Sequence, residues 1–235
     1  MTARNIAIIG DGKMGQAIRQ LATESGWHVA AMLGERESAN GAGITANSLG
    51  NADVAVEFTQ PDAAVANVTA SLRAGVPIVV GTTGWYDSLP EVSRIAKQTG
   101  TGLLWSPNFS IGVNVLIELA RYAGTLMQPL EGFDAHIVET HHSRKKDAPS
   151  GTAIAIGKAA SDALDRPIPT TSVRTGSVPG THELIFDGMF EQLSLAHIAR
   201  DRRVFAEGAL QAAGWLIGKT GVFTMRDLLK LPTGR

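Results

Sequence analysis

Short apolar runs alternate with amphipathic stretches through the first hundred residues. Asn5–Ile9, with the apolar run Ile6–Ile9, reads as a short buried strand, followed by Gly10-Asp11-Gly12-Lys13-Met14-Gly15 as a turn. Gln16–Ser25 then reads as a helix with Ala17, Ile18, Leu21 and Ala22 on one face. A second strand, His28–Leu33, ends in Gly34-Glu35-Arg36. Val54, Val56 and Phe58 alternate through Asp53–Thr59 as a third strand, and a helix opened by Pro61 stops at Gly75. Ile78–Val80 and Leu103–Trp105 are further strands, running into the polar turns Gly81-Thr82-Thr83-Gly84 and Ser106-Pro107-Asn108-Phe109. This recurring rhythm of strand and helix predicts an α/β unit with a doubly wound parallel sheet of the Rossmann type.

Past Ser110 the rhythm changes. Ile111–Met127 has the spacing of one long helix, with Leu116, Leu119 and Ala120 on its apolar side, and Pro129 and Gly132 end it. Phe133–Thr140 alternates as a strand, and a helix follows from about Ala153 to Leu164. Glu183–Phe186 and Met189–Ile198 read as strands joined by a two-residue Asp187-Gly188 turn. A second α+β domain on a mixed or antiparallel sheet fits this order. The expected organisation is residues 1–109 for the first domain and 110–214 for the second, with a helical tail of about 215–235 that packs on one or the other.

Composition narrows the functional classes. In 235 residues, 21 Lys+Arg oppose 22 Asp+Glu, so the chain has no global field for nucleic acid or an anionic membrane. The absence of cysteine removes disulfides, thiolate nucleophiles and cysteine zinc sites. Apolar runs such as Ile6–Ile9 are far below the ~18 residues of a membrane span, and Met1–Asn5 leads into a strand rather than the apolar core of a signal peptide. A soluble cytoplasmic protein is the expectation.

The first turn carries chemistry because of where it lies. After a strand and before a helix, G-x-G-x-x-G spacing lets Gly10 make the turn, Gly12 admit a pyrophosphate to the backbone and Gly15 pack helix on strand. The helix start offers unpaired N–H groups to phosphate. Glu35 lies 20 residues beyond Gly15, where a carboxylate meets an adenosine ribose, while Arg36 beside it suits a 2′-phosphate. A solvated surface cluster, Glu35-Arg36-Glu37, is the alternative. The polar turns at 81–84 and 106–109 fall at strand C-termini, the ends that line the ligand crevice of such a sheet; ordinary turn chemistry would also account for them.

The densest chemistry is in segment 141–152. His141, His142, Arg144, Lys145 and Lys146 fall within six positions, and Ser150 can cap a helix whose Gly151 and Thr152 N–H groups face the same place. Such a loop is built for carboxylate or phosphate, and either histidine could transfer a proton near neutral pH. A solvated basic loop is the inert reading. Nucleic acid is disfavoured, because no aromatics interleave the charges.

The run from Glu139 to Ala153 resembles the E-x-H-H-x-x-K-x-D-A-P-S-G-T-A signature of the dihydrodipicolinate reductase family, also called 4-hydroxy-tetrahydrodipicolinate reductases. The glycine turn, Gly81–Gly84, Pro107–Ser110 and Gly221–Asp227 match in type and order. The resemblance implies NADPH- or NADH-dependent reduction of a small cyclic dicarboxylate in lysine biosynthesis. It implies His141 as proton donor or acceptor, Lys145 as a second proton donor, and His142, Gly151 and Thr152 as substrate binders. Gly10, Asp11, Gly12, Lys13, Met14, Gly15, Glu35, Gly81, Thr82, Thr83, Ser106, Pro107, Asn108 and Phe109 would hold the cofactor, with Arg36 added by its charge. No metal is implied. A hydride donor on one domain and an acid on the other imply closure of the two. By the same analogy the chain is a homotetramer joined through its second sheet, with Leu184, Phe186, Leu193 and Leu195 as its apolar members. The connection between Thr181 and Glu191 is shorter than in many relatives. Reduction of another small carboxylated imine or carbonyl, or nicotinamide sensing without turnover, are the rival readings.

Overall fold

In the computed structural model, which describes residues 4–231, the chain forms two compact units. They divide between Phe109 and Ser110, and the chain returns to the first unit at Phe205. The first unit runs β1 (Asn5–Ile9), α1 (Lys13–Glu24), β2 (His28–Leu33), α2 (Glu35–Ser38), β3 (Val54–Glu57), α3 (Pro61–Arg73), β4 (Ile78–Val80), α4 (Leu89–Thr99) and β5 (Gly102–Trp105). The second contains α5 (Ile111–Met127), β6 (Phe133–His141), α6 (Gly151–Leu164), β7 (Thr170–Arg174), β8 (Thr181–Gly188) and β9 (Gln192–Ile198). Helix α7 (Arg203–Leu216) leads back to β10 (Gly221–Phe223) and α8 (Met225–Leu229). Among the described residues no helix is long and apolar enough to cross a membrane.

The first sheet is parallel throughout, in the order β10-β5-β4-β3-β1-β2. Connections run one way from β1 to β2 and the other way to β3, so the order reverses between β1 and β3, where a parallel sheet opens its crevice. Residues 54–57 of β3 are all buried, which corrects the alternating pattern expected there. A central parallel strand has no solvent face, and Ala55 of β3 shares one core cluster with Val68, Leu72 and Ile95.

Three boundaries differ from the sequence expectation. Helix α1 begins at Lys13, so Lys13, Met14 and Gly15 are helical and the turn shrinks to Gly10–Gly12. Gly15 must lie inside the helix contact, since a Cβ there would be 1.9 Å from the Gly10 carbonyl oxygen. Glu35–Ser38 is a helical turn, because the Glu37 carboxylate accepts from the Gly34 N–H at 3.0 Å. The return to the first unit falls at Phe205 rather than near 215, since Gly208 abuts Phe109, where a Cβ would be 1.8 Å from its carbonyl oxygen, and β10 extends the sheet beside β5.

The second sheet is mixed, in the order β7-β6-β8-β9, with β6 and β7 parallel and the other pairs antiparallel. Helices α5 and α6 cover one face, burying Leu116, Ala120, Met127, Ile156, Ala160 and Phe186 together. Gly124 lets the helices close, since a Cβ there would lie 2.8 Å from the Ala160 carbonyl. Leu119 is 46% exposed and does not share that face; Ala123 and Met127 continue it instead. The hairpin turn is also displaced: Asp187 pairs with Gln192 and the Gly188 N–H donates to the Glu191 carbonyl, leaving exposed Met189-Phe190 as the turn. Leu184 and Phe186 are wholly buried under the helices, and Leu195 packs on them, so three of the four expected assembly residues serve the unit's own core. By the alternation of a strand, the opposite face presents Val138, Ile185, Val173 and Ile198.

Candidate active site

Sheet register builds the centre of the second unit. Glu139 and His141 stand two apart on β6 and therefore on one face. Across the ladder Glu139 is opposite Ser172 on one side and His182 on the other, while His141 is opposite Arg174. Glu139 is fully buried, yet one of its oxygens, Oε1, accepts from the Ser150 N–H at 3.0 Å, the Ser172 hydroxyl at 2.7 Å and the Arg174 guanidinium at 2.7 Å. Burial works to raise its pKa, and the donors overcome it, holding the carboxyl at about 2. Its other oxygen, Oε2, lies 2.9 Å from His141 Nδ1 and 3.9 Å from His182 Nε2.

The two adjacent histidines have different surroundings. Burial draws His141 below its usual range; the Glu139 charge opposes this, and Lys145 and Arg174 add to it. His142 Nε2 is 2.6 Å from an Arg202 nitrogen and so must accept, being neutral at that atom. Desolvation, followed by the nearby charges of Arg202, Arg144 and Lys145, lowers its pKa. Lys145 meets both Asp147 oxygens at 2.8 Å, whereas Lys146 and Arg144 are exposed. Arg174 also donates to the Asp147 carbonyl at 2.6 Å, tying β7 to the loop.

Ser150 caps α6 as expected, accepting from the Ala153 N–H at 3.2 Å. Nothing lies within 4 Å of the place a Cβ would take on Gly151, so the helix start is open beside the cationic loop. Thr152 follows it, half-buried. Glu139, His182 and His141 also bring potential metal ligands within 4.8 Å of one another. The donor set argues for a hydrogen-bonded cluster, because Arg174 already occupies the carboxylate and would repel a cation.

The first unit fits a dinucleotide at its glycine turn. Gly10 has φ +109 and abuts the Phe58 carbonyl, where a Cβ would come within 2.2 Å. Gly12, the residue before α1, has open space where a Cβ would stand, and no side chain caps the helix. Asp11 reaches across to Gly34 at the start of α2, on which Glu35 and Arg36 are exposed. Thr82 is buried, its hydroxyl accepting from the Thr59 N–H at 2.8 Å, and Thr83 beside it is exposed. Gly81 is required by the Phe58 ring, 2.0 Å from a would-be Cβ. The Ser106 hydroxyl closes a turn on Asn108, exposed Pro107 lies between them, and Phe109 is buried against Phe58 at 5.8 Å between centroids.

Sequence reasoning missed Glu57, Arg174, His182 and Arg202. Glu57 ends β3 fully buried, with its pKa raised by burial. An acidic residue at the end of an apolar strand, and a histidine inside another, are signals that a periodicity reading passes over. Arg174 and Arg202 stand 30 and 58 residues from Arg144, and register rather than spacing brings them in.

Residues 4–109 match the family described as "Dihydrodipicolinate reductase, N-terminus", and 112–229 that described as "Dihydrodipicolinate reductase, C-terminus". The 4-hydroxy-tetrahydrodipicolinate reductase of Christiangramia forsetii is 35% identical over 96% of this chain and 97% of its own. That of Thiobacillus denitrificans is 36% identical over 96% and 98%. Among solved structures, a dipicolinate-bound dihydrodipicolinate reductase from Paenisporosarcina sp. TG-14 has a TM-score of 0.78 at 22% identity, covering 95% of this chain and 98% of that one.

Proposed function

The chain belongs to the dihydrodipicolinate reductase family and is an oxidoreductase that reduces 4-hydroxy-tetrahydrodipicolinate in the diaminopimelate and lysine pathway, and we propose roles for its residues on that premise. The cofactor is a nicotinamide dinucleotide. Gly10–Gly15 takes its pyrophosphate, Gly81–Thr83 and Ser106–Phe109 lie toward its other half, and Glu35 and Arg36 serve ribose and 2′-phosphate, so that both NADH and NADPH are used. Bound there, the reduced nicotinamide supplies hydride to the substrate's unsaturated ring.

In the second unit the substrate is a cyclic dicarboxylate, as the dipicolinate named with the solved relative supports. The observation that carries this reading is the meeting of Lys145, Arg174 and Arg202 with His141, His142 and the open start of α6. His142, Gly151 and Thr152 hold a carboxylate, and Arg202 adds charge on the far side of His142. Lys145 exchanges part of its Asp147 contact for substrate, stabilises the negative charge that hydride brings and serves as a second proton donor. His141, with a carboxylate behind its ring, passes a proton; His142, with an arginine there, does not. The enzyme is cytoplasmic, and a homotetramer formed through the open face of the second sheet; a monomer mass by light scattering at micromolar concentration would refute that assembly.

The test is a coupled assay with substrate generated in situ and both cofactors supplied. Oxidation of NADPH or NADH that depends on the precursor is expected. Turnover only with another small imine or carbonyl, or cofactor binding without turnover, overturns the reading. For the cofactor, Arg36→Ala raises KM for NADPH several-fold more than KM for NADH, and equal changes remove Arg36 from that role.

A further inference from the structure

We infer that Glu139 is a positioning residue that fixes His141 in the Nδ1–H form, leaving Nε2 as the atom that exchanges a proton with substrate. The inference rests on the reading of His141 as the proton-transfer group and adds what sets its tautomer. Neither Glu139 nor its companions Ser172, Arg174 and His182 had a role in the sequence reading.

Glu139 Oε2 lies 2.9 Å from His141 Nδ1 in a close ionic contact without the alignment of a hydrogen bond; a carboxylate charge that near favours the tautomer that carries the proton, and not a lone pair, on Nδ1. Glu139 keeps its charge, because Ser150, Ser172 and Arg174 all donate to its other oxygen. The proton therefore belongs to the histidine. Those three donors come from the start of α6 and from β7, so the carboxylate is clamped from two elements and cannot rotate away. His141 is held on its far side too. Gly180, with φ +157, leaves Nε2 room that a Cβ 3.1 Å away would take, and His182 packs edge-on against the ring at 5.0 Å between centroids.

Charge favours one positive imidazole in this cluster and not two. His182 is drawn to a pKa of about 4, first by burial and then by His141, and its Nε2 engages the Ser150 hydroxyl at 3.1 Å. It remains neutral while Glu139 balances whichever proton His141 carries. The charged groups facing His141 are Glu139 from its own strand, Arg174 from β7, and Lys145 and Asp147 from the following loop; His182 faces it from β8. Of these, the two carboxylates favour the imidazolium, and Glu139 is much the closer.

The test has a structural and a kinetic arm. Nitrogen-15 spectra of the imidazoles in the wild-type protein at pH 8 are expected to show His141 protonated at Nδ1 and bare at Nε2. The reverse tautomer overturns the inference without any variant. Glu139→Gln, checked for folding by circular dichroism, is expected to lower kcat at least tenfold with KM for NADPH unchanged, and to move the limb of kcat that falls with rising pH to lower pH by about one unit, since a neutral amide no longer supports the imidazolium. A Glu139→Gln enzyme with an unshifted pH profile overturns it. Should that variant misfold, Ser172→Ala, which removes one clamp donor, is expected to give a smaller shift of the same sign, and no shift overturns the inference. His141→Gln separates the two claims: if it retains turnover, the proton-transfer reading itself fails, whereas loss in His141→Gln with normal Glu139→Gln refutes only the positioning role.

Discussion

The two units hold their sites in opposite ways. In the first, the turn proposed for phosphate is made mainly of backbone: three glycines and a helix start without a side-chain cap, with exposed Asp11 and Lys13 of opposite charge between them. In the second, side chains from β6, β7 and β8 converge on one buried carboxylate, and Arg202 before α7 meets the neighbouring His142. A backbone site depends on local conformation and tolerates no added atoms. A side-chain site depends on sheet register and is sensitive to which charges are present. Substitutions at the two sites are therefore expected to fail differently.

The largest effect belongs to the second site. Lys145→Ala is expected to lower kcat by roughly 10² to 10⁴, the range of a positioned proton donor, with a smaller rise in KM for the substrate. Steady-state kinetics with NADPH fluorescence titration check it. Cofactor affinity should stay at the wild-type value, because the binding glycines lie in the other unit. A change confined to KM would make Lys145 a binding group and move the proton elsewhere.

The backbone site is broken most cleanly at Gly12. Its φ of -69 suits any residue and no atom lies within 4 Å of a new Cβ, so Gly12→Ala is expected to melt within a degree or two of wild type. Its methyl would stand where the backbone must approach a pyrophosphate, so KM for both cofactors is expected to rise on the order of tenfold or more. Gly15→Ala is the contrast: a Cβ 1.9 Å from the Gly10 carbonyl must displace main chain, so stability and binding fall together. Unchanged cofactor KM in Gly12→Ala would remove the turn from phosphate binding.

This contrast also explains what could be read from sequence. The glycine turn was legible because strand, turn and helix are consecutive, and the only error was of phase, the helix starting at Lys13. In the second unit the loop from His141 to Thr152 was legible for the same reason. Arg174, His182 and Arg202 were not, since nothing in their spacing reveals that β6 lies between β7 and β8. The hairpin failed on a different point. Asp-Gly is a strong turn pair, but burial of Leu184 and Phe186 fixed the register and pushed the turn two residues on, to Met189-Phe190.

The buried cluster leaves a mark on acid stability that the backbone site cannot. His182 titrates at about 4 in the folded chain against 6.5 when exposed, so its neutral form stabilises the fold above pH 6.5, and that contribution is lost as pH falls toward 4. Glu139, lowered from 4.5 to about 2, adds a second loss between those values. Melting temperature is expected to fall through both windows. His182→Asn should flatten the upper one by an amount on the order of 1–3 kcal/mol, leaving a residual slope from His141, His142 and His197, whose pKa values are lowered too. An unaltered slope between pH 6.5 and 4 would mean that His182 is not the group being charged.

The smallest effect is expected beside the largest. Lys146 follows Lys145 in the chain, carries the same charge and is exposed, whereas Lys145 is half-buried and held by Asp147 at 2.8 Å. If the loop worked as a diffuse anion collector, the two lysines would contribute alike, and the loss on removing either would shrink as salt shortens the reach of exposed charge to within ~10 Å at 0.1 M. If instead the register of the sheet fixes one cation against the substrate, Lys146→Ala changes kcat and KM by no more than a few fold, and added salt abolishes even that difference. Measuring both variants from 20 mM to 500 mM salt separates the cases. Equal, modest and salt-sensitive losses would reduce the second site to a basic patch; a large salt-resistant loss in Lys145→Ala alone leaves it a site set by the position of side chains.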